Sequence, residues 1–362
     1  MLLPEIHTSD RALYRRCRRK WDLRSPLRRG LVPWGETNEA LWFGSAFHYA
    51  LEDYHGARHF SDPHAALTAY YDATFDAAPF NADELLELGR GMLTHYTRYW
   101  LPERERLETL VIDGVPQTEV RFSIPLTTNT GADFLYVGTI DRVAVDAFGL
   151  LWLIDYKTAG RMDQIDMNTD PQTSNYSWAA DRHYATLYGA TSVPPIAGFI
   201  IQTHLKAVPE VPRIVKGNRL STDKRLHTTH ALYTQAIMDH HGSVLPEYSE
   251  MLTELASRET PDGDPFVKRT SIARSDYNKQ REGWAIIIEA TEMLNSELPI
   301  YPNFTRDCRW DCKDAREACL SIEDGVGDPL DFFLPDRVSF TDRSAWRTKL
   351  VLPNGTALGM VV

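Results

Sequence analysis

A mixed α/β fold, with a central sheet flanked by helices, is what the order of elements along this chain predicts. Residues 10–100 carry mostly helical periodicity, and 119–156 break into three strands with short connections. A helix over 173–188 then leads to a fourth, strongly apolar strand over 196–205. Strand-strand-strand-helix-strand, preceded by helices, is neither an all-helical bundle nor a β-sandwich.

Taken in order, Ser9 stands where an N-cap belongs, and Leu13, Cys17 and Trp21 recur every four residues, so 10–23 reads as one helix. Ala40 to His55 is a second helix, with Phe43, Phe47, Leu51 and Tyr54 on one face and Gly44, His48 and Glu52 beside it. Residues 64–100 continue as helix, closed by Pro102. Glu119–Leu126 alternates, Phe134–Asp146 follows as a strand, and Leu150–Tyr156 is a third strand dense in Leu, Ile and Trp, so the three form an antiparallel meander. Residues 206–265 form an elaboration in which 229–239 and 248–257 are helical, and 275–298 is a long helix leading into a cysteine cluster.

Composition narrows the function classes. The 362 residues suffice for one large domain or two ordinary ones, and 43% hydrophobic with 25% charged residues is a globular profile. No apolar run reaches membrane-spanning length, and Met1–Thr8 lacks the basic flank and apolar stretch of a secretory signal, so a cytoplasmic protein is expected. The net charge of -11 argues against non-specific coating of nucleic acid. Against that background, Arg11 to Arg29 holds nine basic residues and one acid, Asp22. Such a run is either a solvated face or a track for phosphates. No G-x-x-x-x-G-K-[ST] loop is present, so the chain carries no ATP motor of that kind.

The chemistry concentrates on strand ends. Asp155-Tyr156-Lys157 ends one strand and Asp141 follows Val137-Gly138-Thr139-Ile140 in the strand before it, so two carboxylates converge from neighbouring strands. Oxygen ligands suit Mg²⁺ or Mn²⁺, and a site with few protein ligands keeps positions open for water and a phosphate oxygen. A nearby ammonium would orient that water or offset developing charge, and Lys157 has the place for it. Alone, an Asp-x-Lys tripeptide is a solvated strand end.

The wider pattern is specific. Gly138-Thr139-Ile140-Asp141-Arg142, Leu153-Ile154-Asp155-Tyr156-Lys157-Thr158 and Gln172-x-x-x-Tyr176 together resemble the signature of the RecB-like branch of the PD-(D/E)XK nucleases. Phe43-Gly44-Ser45-Ala46-Phe47-His48 resembles that branch's Gly-x-x-x-His helix, and all four motifs stand in the family's order. The resemblance implies a PD-(D/E)XK restriction-endonuclease-like core with helical additions. It makes His48, Asp141, Asp155 and the backbone carbonyl of Tyr156 metal ligands and Lys157 the catalytic lysine. Glu119 either supports the site or a second ion, or is an exposed strand glutamate. Gln172 and Tyr176 share a helix face and would hold the DNA backbone or brace the site.

Cys308, Cys312 and Cys319 are spaced C-x3-C-x6-C, and the fourth cysteine, Cys17, lies in the basic helix. Four thiols in a reducing compartment point to metal rather than disulfides. A C-terminal cysteine triplet completed by one far upstream resembles the iron–sulfur staple of AddB-type and CRISPR-associated nucleases. That resemblance implies a 4Fe–4S cluster. Zinc is the rival, although the paired C-x2-C hooks usual for zinc are absent, and independent buried thiols stand third. Such a staple would fix the arginine-rich helix to the core.

The expectation is therefore a nuclease domain over 1–324, with its helical part at 1–109, core at 110–206, elaboration at 207–265 and helix with cysteine cluster at 275–320, followed by an extension at 325–362. By resemblance it is a DNA exonuclease acting from single-stranded ends with Mg²⁺ or Mn²⁺, in recombination, repair or phage DNA metabolism, alongside a separate helicase or recombinase. If phage-encoded, it would work in the host cytoplasm. The alternatives are a flap or branch endonuclease and a catalytically idle DNA-binding subunit of a helicase-nuclease complex.

Overall fold

The structure, a computed structural model, describes residues 3–33, 38–56, 62–162, 170–188, 194, 196–306, 308–312, 316–329 and 333–335. Most of the C-terminal extension lies outside them. Among the described residues no helix is long and apolar enough to cross a membrane.

A seven-stranded mixed sheet organises the chain. In chain order its strands are β1 (Glu5–His7), β2 (Glu108–Thr109), β3 (Thr118–Thr127), β4 (Asp133–Val145), β5 (Leu151–Ala159), β6 (Ile196–Leu205) and β7 (Val267–Ala273). β3, β4 and β5 form the antiparallel meander; β6 runs parallel to β5, and β7 closes that side antiparallel to β6. Along one edge of β4 lie β3 and β2. Along the other lie β1, opposite Leu135–Val137, and β5, opposite Arg142–Val145. The edge strands β1 and β7 were not legible in the sequence: one has three residues, and the other is the half-exposed Val-Lys-Arg-Thr-Ser-Ile-Ala.

Helices cover both faces. On one lie α3 (Glu39–Gly56), α4 (Pro63–Thr74) and α5 (Ala82–His95), whose Phe43, Phe47, Leu67 and Leu93 pack on Ile154, Tyr156 and Ile200. On the other lie α1 (Thr8–Arg16), α6 (Pro171–Tyr188) and α9 (Asp276–Met293), whose Tyr14, Trp178 and Ile286 pack on Phe122, Leu153 and Phe199. Alternate residues of β5 serve the two layers, as a sheet buried on both faces requires. Within the elaboration, α7 (His230–His241) and α8 (Ser249–Ser257) build a small core of their own around Tyr233, Tyr248 and Met251.

The expected helix over 10–23 is two helices. α1 ends and α2 (Arg18–Arg24) begins at Cys17, whose backbone is extended at φ -165° and ψ 120°. The break has a visible counterpart, since the Asn303 amide donates to Cys17 Sγ at 3.3 Å. The basic run, left open between a solvated face and a phosphate track, is largely consumed inside the protein. Arg11 is buried and bonds Glu282 at 2.9 Å and Glu289 at 2.7 Å, while Arg15 bonds the same two carboxylates. Arg18 pairs with Glu292, Arg19 with Glu323, and Arg28 and Arg29 both with Asp22. The acids that neutralise α1 come from α9, so these arginines tie together two helices about 270 residues apart.

Candidate active site

β4 and β5 part company at the carboxylates. Their pairing stops at Arg142↔Ile154, and in place of the next ladder bond the Tyr156 amide donates to Asp141 Oδ2 at 2.9 Å. Side-chain alternation along β4 also breaks there, because Ile140 and Val143 face the same layer. Gly138, upstream, is required by close approach: a Cβ would lie 2.5 Å from Phe122 and 2.8 Å from Thr8. In an extended residue the N–H and C=O leave by the same strand edge, so the Tyr156 carbonyl also faces the fork.

Three side chains converge on the fork from separate elements. His48 reaches over from α3, its Nδ1 3.2 Å from Asp141 Oδ2. With Glu119 of β3 they offer one imidazole nitrogen and two carboxylate oxygens, all within 4.8 Å of one another. Glu119 has φ of 48°, a left-handed backbone that a non-glycine residue rarely adopts, at the point where β3 and β4 skip a pair opposite Asp141. Sequence reading left Glu119 undecided. Its alternating strand context holds no sign of the backbone turn that swings it inward.

Asp155 stands beside this group, facing the α6 layer. Lys157 Nζ lies 2.7 Å from its Oδ2 and the Gln172 amide donates to its Oδ1 at 3.0 Å. Oδ2 is buried and takes no well-directed hydrogen bond. Burial pushes the Asp155 carboxyl above its ordinary value; Lys157 pulls it down, and the charge of Asp141 pushes it up again. Burial works against the Lys157 ammonium, yet Asp155 and Asp141 together hold it above its usual range, so it is a cation here. Tyr176 lies deeper: its hydroxyl bonds Thr8 at 3.0 Å and its ring meets Phe122 and Phe199 edge-on, which braces α6 against α1, β3 and β6.

The donor set fits a hard divalent cation. An imidazole nitrogen and two carboxylate oxygens crowd one point, beside the Asp155 carboxyl that burial pushes upward. His48, Asp141 and Glu119 would hold such an ion, with Asp155 and the Tyr156 carbonyl at its margin.

The four thiols gather at a second place. Cys17, Cys308, Cys312 and Cys319 line one cavity of about 210 Å³, together with Arg19, Lys20 and Phe304. No disulfide joins them. The Thr305 amide points at Cys308 Sγ from 3.4 Å, as the Asn303 amide does at Cys17. Burial, with Cys17 close by, pushes the Cys319 thiol up to about 11.

A family profile described as the PD-(D/E)XK nuclease superfamily matches residues 8–319. Among solved structures, the chain is similar to a crystal structure from Eubacterium rectale that bears the provisional name of exonuclease. The identity is 11%, the match covers 76% of this chain and 75% of that one, and the TM-score is 0.35. No curated protein matches.

Proposed function

Because the chain belongs to the PD-(D/E)XK nuclease superfamily, we propose that it is a metal-dependent DNA exonuclease of the RecB-like branch, working at the β4–β5 fork on single-stranded ends. The observation that carries this is the meeting of His48, Glu119 and Asp141 within 4.8 Å, beside an Asp155–Lys157 pair at 2.7 Å. In this reading residues 1–324 form one nuclease unit and 325–362 an extension. Recombination, repair or phage DNA metabolism is its setting, with a separate helicase or recombinase opening the duplex.

A bound Mg²⁺ or Mn²⁺ supplies a Lewis acid for a phosphoryl oxygen and lowers the pKa of bound water. The protein's own part is positioning and charge. The Tyr156 amide holds Asp141 Oδ2 at 2.9 Å, and His48 Nδ1 lies 3.2 Å from the same oxygen. Gln172 donates to Asp155 from α6 and so favours one orientation of the carboxylate. Lys157, half-exposed and cationic, presents its ammonium where negative charge grows on the scissile phosphate.

The cysteine cavity supports a 4Fe–4S cluster. Among the described residues no three thiols fall within 4.8 Å of one another. The sulfur–sulfur edge of a Cys₄ zinc tetrahedron built on Zn–S bonds of about 2.3 Å is only about 3.8 Å. The two amides aimed at sulfur are also the kind of hydrogen bond that tunes iron–sulfur clusters.

The test is degradation of end-labelled single-stranded DNA, and of flap DNA, by anaerobically purified protein with Mn²⁺, Mg²⁺ or EDTA, alongside Lys157→Ala. Metal-dependent laddering from one end, lost in the variant, is expected. Internal cuts at the flap junction would make it an endonuclease, and absence of cutting on either substrate would make it a DNA-binding subunit. Iron and sulfide in a four-to-four ratio are expected in the same preparation, and zinc instead would assign the thiols to zinc.

A further inference from the structure

The outer face of α9 carries a stripe that the fold does not use. Tyr277, Arg281, Trp284 and Ile288 follow one another at intervals of four, three and four, which places all four on one line of a helix. Tyr277 is 71% exposed, Trp284 65% and Ile288 52%. Large apolar side chains repeated in one direction on a surface mark a binding site more often than isolated ones do.

The stripe is held outward by the inner face of the same helix. Gly283 packs so closely on α6 that a Cβ would come within 2.3 Å of Trp178 Nε1, and Lys279 is buried against Asp181. Glu282 and Glu289 are spent on Arg11 and Arg15, and Asp276 on Lys279. The acids of α9 nearest the stripe are therefore matched, whereas Arg281 has no carboxylate partner among the described residues.

The stripe also leads to the catalytic fork. Arg274, just before the Ser275 cap of α9, donates from Nε to Thr173 Oγ1 at 3.0 Å, and Thr173 adjoins Gln172, which holds Asp155. Burial, with the repulsion of Arg281, lowers the Arg274 guanidinium, and Asp170 acts on both Arg274 and Lys157. Positive groups thus run from Lys157 through Arg274 to Arg281.

We propose that this face of α9 is a track for single-stranded DNA, on which Trp284 and Tyr277 stack bases and Arg281 meets a phosphate on the way to the fork. The inference rests on the nuclease reading and names how that site receives its substrate. From Tyr277 to Ile288 the track is about 16 Å long, room for a few nucleotides. It is a single line of side chains, one ring or cation per turn. A protein partner would need about 800 Å² on each side, but a strand of bases with one phosphate per step does not.

The experiment is fluorescence anisotropy of labelled oligo(dT) of increasing length on the full-length protein, without divalent metal, at several salt concentrations. Trp284→Ala is expected to weaken binding about 5- to 100-fold for oligomers long enough to reach α9, and Trp284→Phe to keep most of the affinity. Arg281→Gln is expected to flatten the slope of log affinity against log salt by about 0.7. Wild-type affinity in Trp284→Ala overturns the proposal, as does failure of the wild type to bind oligo(dT). Unchanged DNA binding with loss of self-association in sedimentation would make the stripe a contact between copies, and would also overturn it. Metal-dependent cutting is measured separately, so failure of the track and failure of the nuclease reading give different results.

Discussion

Arg11→Met tests whether the basic N-terminal run is a structural tie. The Arg11 side chain is 2% exposed, between Glu282 at 10% and Glu289 at 17%, and methionine keeps the aliphatic bulk while removing the charge. Removing one partner of a buried ion pair costs about 3–5 kcal/mol, because the remaining charge is left uncompensated. Both glutamates retain Arg15, itself 29% exposed, so the lower end, about 3 kcal/mol, applies here. At about 2.1 cal/mol/K per residue, unfolding 362 residues carries about 0.8 kcal/mol/K. The melting temperature should then fall by about 4 °C, read by differential scanning fluorimetry or near-UV circular dichroism. Adding Glu282→Gln and Glu289→Gln should recover part of the loss, since the cost lies in unmatched charge. A shift below about 1 °C, or a triple variant no better than the single one, would refute the reasoning. If Arg11 were instead a phosphate contact, the variant would lose DNA affinity and keep its melting temperature.

Further outcomes follow from the fork and its surroundings. Lys157→Met should slow cutting about 10²- to 10³-fold while the stabilisation conferred by Mn²⁺ persists; cutting at the wild-type rate would remove the lysine from the chemistry. Glu119→Gln should weaken Mn²⁺ binding about tenfold in isothermal titration, and unchanged affinity would leave Glu119 outside the ligand set. Burial, with His48 nearby, holds the His204 imidazole down to about 3. The unfolded chain takes up this proton at about 6.5, so stability is fully present above that pH and is lost as pH falls from there towards 3. The loss is at most about 1.4 kcal/mol per pH unit. Urea titrations at pH 7 and 5.5 should show it, and His204→Phe should flatten that slope; an equal slope in the variant would shift the effect to other groups.

Much of the sheet was legible because β5 and β6 are dense in Ile, Leu, Phe and Trp and buried on both faces, and because β3 alternates. The placement of Asp141 and Asp155 on neighbouring strands was legible, whereas the grouping of Asp141 with His48 and Glu119, and the turning of Asp155 towards Gln172 of α6, were not. What could not be read depends on distance or on backbone angles. The partners of Arg11 and Arg15 lie about 270 residues away on α9, so local composition shows only an excess of charge. The break at Cys17 occurs within unbroken helical periodicity, and the inward turn of Glu119 comes from one positive φ. The stripe on α9 is readable as spacing, yet only the packing of Gly283 on Trp178 tells its outer face from its inner one.

The tie between α1 and α9 also constrains when the protein can finish folding during synthesis. Arg11 meets Glu282 only after 271 further residues have been made, and Cys17 waits still longer for Cys319. Until then a guanidinium destined for burial stays hydrated, and Trp21, fully buried in the finished core, lacks part of its cover. The helical layer of α3 to α5 can condense on its own local contacts, whereas the opposite layer closes last, when α9 meets α1. A ribosome stalled before α9 would therefore present a half-clad sheet, the state in which this protein would most need a chaperone.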